Sequence, residues 1–338
     1  MSAERFRAVR AGIVGASSLL GKDLKTLMEE RGFPADEIRL LDDEVAGGTL
    51  TEAAGEPTFI QTLEEGSFDR LDFVFFAGQP EFTRRYYPVA LRSGARVIDL
   101  TGALADTPEA APWIPSLDAV LPSPAGAPGG GKLFFSPLAA SIIACSLAAA
   151  VKLLGAKALA IVILQPVSER GQEGIEELES QTVSLLSFQP ISRKLYDAQV
   201  AFNLLSSFGV ESRVPLAAAL KAVRTGAARV LDSHWPAPAI QLLQVPVFYS
   251  HAFTALATFD GPADAGSLQQ ALAKCAVAVQ RAGHPAPDNV SVAGEAQIHV
   301  AIPERHEAEN TVWITGAADN VRLAAANALA VAERLIAS

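Results

Sequence analysis

The sequence predicts an α/β protein, in which a doubly wound parallel sheet domain is joined to an α+β domain with a mixed sheet. Short apolar segments alternate with segments of helical spacing through the first third of the chain. A glycine-rich turn, Gly15 to Gly21, separates the first strand from the first helix. A loop rich in proline and glycine, Pro122 to Gly131, then divides a chain whose 338 residues are enough for two cores.

The first domain is predicted to alternate between short strands and helices along the chain. The first strand, Ala8 to Val14, is mostly apolar, as a strand covered on both faces is. The first helix, Lys22 to Arg31, carries Leu24, Leu27 and Met28 on one face. The other predicted elements are strands at Glu37 to Leu41, Pro57 to Thr62, Phe73 to Ala77 and Arg96 to Leu100, and a crossover helix at Pro80 to Ser93. This order predicts a parallel sheet.

The second domain is predicted from a longer and less regular series of elements. After an Ala-rich helix come strands at Leu159 to Leu164, Ala239 to Phe248, Ala252 to Phe259 and Thr311 to Thr315, a helix at Gly174 to Leu186 and a final amphipathic helix at Asn320 to Ile336. We expect residues 1–130, completed by the C-terminal helix at 318–338, to form the first domain. Residues 131–317 are expected to form the second.

Composition and charge exclude several classes of protein. The net charge is −10 and no run of lysine and arginine exists, so we expect neither a nucleic-acid nor a membrane partner. The two cysteines, Cys145 and Cys275, make no disulfide framework and fit a reducing cytoplasm. No apolar segment of signal length occurs in Met1 to Arg10, and Lys152 interrupts the apolar stretch Leu138 to Leu154. The histidines lack metal-ligand spacing, so we predict a cytoplasmic protein without a metal site.

Six motifs in register resemble those of one family. They are A-G-I-V-G-A-S-S-L-L-G at Ala11 to Gly21, A-R-V-I-D-L-T at Ala95 to Thr101, Q-P-V-S-E-R-G at Gln165 to Gly171, A-F-N at Ala201 to Asn203, V-P-V-F-Y-S-H at Val245 to His251 and D-N at Asp319 to Asn320. Together they resemble the aspartate-semialdehyde dehydrogenases, which act in amino-acid biosynthesis, and above all the Usg-type homologues of that enzyme. Over nearly the whole chain, this resemblance implies a Rossmann-type dinucleotide-binding domain, a dimerisation domain and a homodimer.

The resemblance implies thioester chemistry, for which the family uses a cysteine at a helix N-terminus. The family's N-P-x-C-[ST] corresponds here to S-P-L-A-A, so Ala139 stands at the position of the nucleophile. A methyl group cannot form a thioester. His251 occupies the position of the catalytic base, where we favour a structural role over a residual acid–base role. Gln165 matches the substrate-orienting glutamine, and for it a binding role and a structural role stay equally open.

Other side chains are weaker candidates for the nucleophile. Cys145 lies six residues beyond Ala139, about 9 Å along the same helix, among apolar neighbours. A packed, inert thiol is therefore favoured over a relocated nucleophile. Cys275 has the pattern of a helical packing residue, and Ser141 lacks a legible triad.

Charged groups of the family's substrate site are missing at three places. Gln244 stands at the position of the arginine that binds the substrate carboxylate, and Ala105 at that of the arginine that binds phosphate. The family's E-E-x-K corresponds to A-A-L-K, in which only Lys221 remains. Three losses of charge at one site indicate release from the original substrate.

The glycine-rich turn gives a mixed prediction for the cofactor. Gly15, Ser17 and Gly21 fit a turn that brings a pyrophosphate to backbone N–H groups. Ser18 replaces the family's middle glycine, and its side chain would either crowd the pyrophosphate or bond to it. Asn320, in the closing D-N motif, is also placed at the cofactor by the resemblance.

Acidic residues disfavour NADP. Asp42, Asp43 and Glu44 follow the second strand, where members that bind NADP carry an arginine for its 2′-phosphate. One of the aspartates would instead bond the ribose of NAD. The segment Ser168 to Gly171, S-E-R-G, departs from the family's S-G-x-G beside the nicotinamide ribose. A working NAD site and a vestigial one without cofactor stay equally open.

Three functions remain open after these observations. The leading hypothesis is a catalytically silent homologue, a pseudoenzyme that keeps the fold for binding a small ligand, regulation or association. The second is an NAD-dependent oxidoreductase that uses His251 and Gln165 on a neutral substrate. The third is an interaction subunit that pairs with an active paralogue.

Overall fold

The computed structural model describes residues 9–53, 56–124, 131–232, 235, 237–262, 264–280, 283–302 and 310–337. Within it the chain divides into two compact units. The first contains the described residues up to Asp118, Pro122–Leu138 and the chain from Ala324, and the second contains Ala119–Leu121 and Ala139–Leu323. The predicted boundary lay between residues 130 and 131. The units instead divide after Leu138, because the strand at Leu133–Phe135 pairs with the sheet of the first unit.

The first unit is built on a seven-stranded sheet of order β5-β2-β1-β6-β7-β9-β8. Its strands pair in parallel throughout, which confirms the predicted doubly wound parallel sheet. In chain order the strands are β1 (Val9–Val14), β2 (Ala35–Asp42), β3 (Leu50–Ala53), β4 (Glu56–Phe59), β5 (Gln61–Thr62), β6 (Phe73–Phe76), β7 (Arg96–Asp99), β8 (Ala111–Pro112) and β9 (Leu133–Phe135). Of these, β3 and β4 form a separate antiparallel pair.

Two helices of the first unit lie where the periodicity predicts them. They are α1 (Leu19–Glu30), which buries Leu24, Leu27 and Met28, and α2 (Pro80–Arg92). The predicted strand at Pro57 to Thr62 is wrong in one respect, since it is two strands in different sheets. The chain breaks at Ile60, whose N–H donates to the carbonyl oxygen of Thr49 and whose own carbonyl accepts from Gly48.

The second unit contains a six-stranded mixed sheet of order β11-β10-β12-β15-β14-β13, as predicted. Its elements are α3 (Ala139–Leu153), β10 (Ala158–Gln165), α4 (Gly171–Leu186), α5 (Leu216–Leu231), β11 (Ala239–Gln244), β12 (His251–Thr258), α6 (Ala265–Lys274), β13 (Val277–Val279), β14 (Ile298–Ala301) and β15 (Thr311–Ala318), followed by α7 (Asn320–Ala337). Sequence periodicity did not predict α5, α6, β13 or β14. Residues alternate between buried and partly buried along β12, so one face of the sheet is more fully covered than the other.

Several predicted features need correction or lie outside the described residues. The strand predicted at Ala239 to Phe248 ends at Gln244, because Pro246 has no N–H for a ladder bond. Ala8, His234, His306 and most of the loop at 122–131 lie outside the part of the chain that the structure describes. Among the helices of that part, none has the length and apolar character needed to cross a bilayer.

Candidate functional site

The predicted nucleophile position opens a helix in the second unit. Ala139 is the first residue of α3 and is 3% exposed. A helix N-terminus carries partial positive charge, which stabilises a thiolate placed there. The local backbone is therefore suited to a reactive cysteine, but the side chain is a methyl group.

The alternative nucleophiles are occupied by packing contacts. The Cys145 thiol is buried, donates to the carbonyl oxygen of Ala227 at 3.8 Å, and has its pKa raised by burial. The Ser141 hydroxyl donates to the carbonyl oxygen of Val223 at 2.9 Å. Burial raises the pKa of Cys275 to about 11. Because the thiolate is the reactive form of cysteine, the burial and raised pKa values of Cys145 and Cys275 indicate unreactive thiols.

Gln165 and Gln244 form a closed amide pair. They are register partners at the ends of the parallel strands β10 and β11, and both are buried. The Gln165 Nε2 donates to Oε1 of Gln244 at 3.2 Å. The Gln244 Nε2 donates to the carbonyl oxygens of Gln165 at 2.8 Å and Val245 at 3.1 Å. The predicted position of the substrate arginine therefore holds a neutral side chain whose donors bond within the protein.

Two other positions of the predicted substrate site lie in other elements of the chain. Lys221 is exposed on α5, and no hydrogen bond or ion pair among the described residues joins it to Gln165 or Gln244. Ala105 is buried in the first unit, in the turn after β7. The Asp99 carboxylate organises that turn by accepting from the N–H groups of Thr101 at 2.9 Å and Leu104 at 2.9 Å.

His251 is paired with a carboxylate that the sequence analysis did not select. The imidazole is fully buried at the start of β12, and its Nε2 lies 3.2 Å from Oε1 of Glu169. The Nδ2 of Asn320 donates to the same oxygen at 2.9 Å. Burial alone would raise the pKa of Glu169, but His251, Asn320 and Arg170 together hold it below its usual value. Glu169 is the second residue of S-E-R-G, where the motif S-G-x-G of the resemblance has glycine. That difference was the signal in the sequence that could have identified Glu169.

Ser250, which directly precedes His251, has a backbone conformation that favours glycine. Ser250 is the serine of V-P-V-F-Y-S-H, and its φ is +69°, a conformation that glycine adopts without strain. Its N–H donates to Oδ1 of Asn320 at 3.0 Å, and the Ser168 hydroxyl donates to that oxygen at 3.2 Å. The Ser250 hydroxyl is buried without a hydrogen-bond partner among the described residues. Asn320, which was predicted to bind the cofactor, therefore holds three segments of the second unit together.

In the first unit, close backbone contacts explain why glycine stands at both ends of the glycine-rich turn. Gly15 has a φ of +85°, and a Cβ there would lie 2.2 Å from the backbone of Gly78. A Cβ at Gly21 would lie 2.2 Å from the carbonyl oxygen of Gly15. Since the fold needs both glycines, their presence does not distinguish a working cofactor site from a vestigial one.

The polar groups of the turn bond inside the first unit. The Ser18 hydroxyl accepts from the N–H of Gly21 at 2.9 Å and donates to the carbonyl oxygen of Ala77 at 2.8 Å, so it caps α1. Asp42 is buried, and its Oδ2 accepts from the N–H of Ser17 at 2.7 Å. The Asp43 Oδ1 accepts from the N–H of Ala46 at 2.9 Å. The predicted cofactor residues of the first unit thus lie close together, and their polar groups already bond to protein atoms, whereas Asn320 lies in the second unit.

Metal ligands do not gather in the described parts of either unit. There, no group of three or more histidine, cysteine, aspartate or glutamate side chains has the arrangement of a metal site. His251 and Glu169 make a pair, which is too small to enclose a metal ion.

Comparison with known proteins matches both units to one family. The NAD-binding domain of semialdehyde dehydrogenases matches residues 10–122, and the dimerisation domain of semialdehyde dehydrogenases matches residues 147–323. The USG-1 protein homolog of Pseudomonas aeruginosa is 28% identical over 337 residues, which cover 97% of this chain and 98% of that protein. Aspartate-semialdehyde dehydrogenase 2 of Vibrio cholerae is 25% identical over 335 residues, 96% of each protein. The structure of a probable aspartate-semialdehyde dehydrogenase from P. aeruginosa superposes with a TM-score of 0.86 at 26% identity, covering 98% of this chain and 99% of that one.

Proposed function

This chain belongs to the semialdehyde dehydrogenase family, and we propose that it is a catalytically silent member that keeps the fold for ligand binding or association. The observation that carries the proposal is the methyl group of Ala139 at the N-terminus of α3. The chemistry of the family needs a thiolate at that place. The thiols of Cys145 and Cys275 are buried and have raised pKa values, so neither supplies one.

The closed amide pair supports the same proposal from the substrate side. A substrate carboxylate needs a cationic partner, and bidentate guanidinium is the strongest one. Gln244 is neutral, and its amide group donates to Gln165 and Val245 instead. Binding the original substrate there would break these buried hydrogen bonds, each of which contributes about 1 kcal/mol.

We further propose that the first unit binds a dinucleotide weakly or not at all, and NADP less well than NAD. The unit matches the NAD-binding domain of the family. The retained glycines are explained by backbone packing, and Asp42 is committed to the N–H of Ser17. The carboxylates of Asp42 and Asp43 would also repel the 2′-phosphate of NADP.

One observation favours the second candidate, an NAD-dependent oxidoreductase of altered substrate. A histidine oriented by a carboxylate is a common arrangement for a general base, and His251 has such a partner in Glu169. This candidate requires that NAD binds and that hydride transfer to a small carbonyl compound occurs. Calorimetric titration with NAD and NADP tests the first requirement, and an assay of hydride transfer from NADH to small carbonyl compounds tests the second. The assay separates the two candidates, because the silent homologue gives no saturable hydride transfer even where NAD binds.

The test of the leading proposal is a phosphate-dependent assay of NAD and NADP reduction with aspartate semialdehyde, using the V. cholerae relative as positive control. We expect the rate to equal that of a mock preparation. We expect Ala139→Cys alone to remain inactive, because Gln244 and Ala105 still lack the guanidinium groups that the substrate needs. Turnover by the wild-type chain that is lost in His251→Ala would refute catalytic silence.

The match to a dimerisation domain supports oligomerisation, and we propose a homodimer formed through the less covered face of the mixed sheet. Strand register places Ala160, Leu256 and Trp313 in one row across β10, β12 and β15. Ala160 is exposed, and Trp313 is 46% exposed. An apolar row on an incompletely covered sheet face is typical of an association surface.

Sedimentation velocity tests the homodimer. We expect twice the chain mass of 35.4 kDa for the wild-type protein and a monomer for Trp313→Glu. Phe188→Glu is the matched control, because Phe188 is 96% exposed just after α4 and lies outside the sheet. A wild-type monomer, or a dimer unchanged by Trp313→Glu, would exclude this surface. Co-purification with an active paralogue in place of a homodimer would favour the interaction-subunit hypothesis.

A further inference from the structure

Strand register aligns a row of side chains across the less covered face of the mixed sheet. The row crosses all six strands of the sheet, from β11 at one edge to β13 at the other. Its members, in that order, are Leu243, Leu164, Ala252, Ala317, His299 and Ala278. His299 on β14 is thus the one polar side chain in a row that is otherwise apolar.

His299 is also the only titratable side chain that the six strands place on this face. The alternation along the strands gives the other side chains of the face, which are those of alanine, leucine, valine, threonine, glutamine and tryptophan. The proposed association surface therefore carries one group whose charge changes near neutral pH.

The surroundings of His299 offer no counter-ion for a protonated imidazole. The flanking strands β13 and β15 contain no charged residue. Asp319 follows β15 two residues after Ala317, the register partner of His299, but its carboxylate accepts from backbone N–H groups of Gly294 and the first turn of α7. Lys274 is exposed at the end of α6, just before β13. Among the described residues, no ion pair includes His299.

One ring nitrogen of His299 is already covered within the chain. The side chain is partly exposed, while its Nε2 is buried without a hydrogen-bond partner among the described residues. A neutral imidazole tolerates this arrangement, because one of its two nitrogens carries no hydrogen. Protonation puts a hydrogen on both nitrogens and would add a buried N–H without an acceptor.

We propose that His299 makes the association of this chain with a second copy depend on pH. The inference rests on the proposed homodimer through the face that carries Trp313. With a neutral imidazole the row is uncharged and packs against the second copy. Protonation places a cation without a counter-ion on the surface, and covering that cation costs desolvation free energy. The separated chains therefore bind the proton better than the dimer does, so the dimer weakens as the pH falls.

The sign of this dependence distinguishes it from the effect of the overall charge. The formal net charge is −10 at pH 7, so two copies repel each other, and a lower pH reduces that repulsion. Overall charge alone would therefore strengthen association in mild acid. A dimer that weakens there requires a group whose protonation opposes association, and His299 is the group that the strands place on this face.

Sedimentation velocity of the full chain at about pH 8 and about pH 6 tests the proposal, because histidines change charge in this range. We expect the dissociation constant of the wild-type dimer to rise about fivefold or more at the lower pH. His299→Gln keeps a polar side chain that does not titrate and should abolish most of this rise. His284→Gln is the matched control, since His284 is exposed in a loop outside the sheet, and should keep the rise. His299→Asn serves as a second neutral variant, and melting temperatures at both pH values verify that each variant is folded.

Three results would overturn the proposal. A wild-type dissociation constant that stays equal or falls at the lower pH would exclude the pH dependence and leave the homodimer standing. A rise that persists in both His299→Gln and His299→Asn would assign the dependence to other groups. A wild-type chain that is monomeric at both pH values would refute the homodimer itself and this inference with it.

Discussion

The Nε2 of His251 lies 3.2 Å from the Oε1 of Glu169. The same oxygen accepts from the Nδ2 of Asn320 at 2.9 Å. His251, which the sequence predicts at the position of the family's base, thus lies beside a carboxylate that also bonds to Asn320. The first two predictions concern the contacts around His251.

We expect Glu169→Gln to destabilise the protein in a pH-dependent way. The pKa of Glu169 in the folded state lies below its usual value of 4.5. Its charged form therefore stabilises the fold fully above pH 4.5, and this contribution is lost as the pH falls through the lowered value. The difference in melting temperature between wild type and variant should be widest toward neutral pH and should narrow in acid. At neutral pH the cost should be about 2 kcal/mol.

Glu173→Gln is the matched control for that measurement. Glu173 lies in the first turn of α4, just after the segment that contains Glu169, and pairs with Arg213 on the surface, where both side chains are more than half exposed. Its replacement should cost about 0.5 kcal/mol or less. A melting-temperature difference for Glu169→Gln that does not change with pH would show that His251 and Asn320 do not stabilise the carboxylate.

Ser250→Gly should stabilise the protein. Ser250 has a φ of +69° and a buried hydroxyl without a partner among the described residues. Glycine removes both costs, and the net gain in the free energy of unfolding should be about 1 kcal/mol after the greater chain entropy of glycine is deducted. Ser250→Ala removes the hydroxyl and keeps the strained backbone, so urea unfolding should rank it below Ser250→Gly. Equal free energies of unfolding for Ser250→Gly and Ser250→Ala would show that the backbone at Ser250 is not strained.

Ser18→Ala should destabilise the first unit. The hydroxyl caps α1 by accepting from the N–H of Gly21 and also donates to the carbonyl oxygen of Ala77. Loss of both bonds should lower the free energy of unfolding by about 1–2 kcal/mol. Thr26→Ala, on an exposed face of the same helix, removes a hydroxyl bonded only to the carbonyl of Lys22 and should change it by about 0.5 kcal/mol or less. If Ser18→Ala lowers the free energy of unfolding no more than Thr26→Ala does, the Ser18 hydroxyl does not stabilise α1 as a cap.

The native cysteines should react slowly with a soluble disulfide reagent. Cys145 and Cys275 are both buried, and burial raises the pKa of each thiol. Labelling should be about a hundredfold slower in the native protein than in urea, because it requires local opening. Val183→Cys adds a thiol at a position that is 59% exposed and should give one rapidly reacting group. Rapid labelling of the wild-type chain that Cys145→Ser abolishes would revive the relocated-nucleophile hypothesis.

Much of the fold could be predicted from local patterns. The apolar segments and the glycine-rich turn predicted β1, α1 and the parallel sheet, because a strand and its following helix leave their periodicities in contiguous residues. The helices α5 and α6 were missed. They are rich in alanine, whose small side chain gives little contrast between a buried and an exposed face, although α5 buries Leu216, Val223 and Leu231 at helical spacing.

The sequence by itself determined the family, because its motifs lie in contiguous residues. The prediction that Ala139, Gln244 and Ala105 stand at the positions of missing groups also depends on motif positions and needs no coordinates. Only the tertiary structure decided which side chains contact one another at the candidate site. The parallel register of β10 and β11 sets Gln165 beside Gln244, although 79 residues separate them. Contacts between distant segments depend on strand register and loop paths, which no local periodicity records.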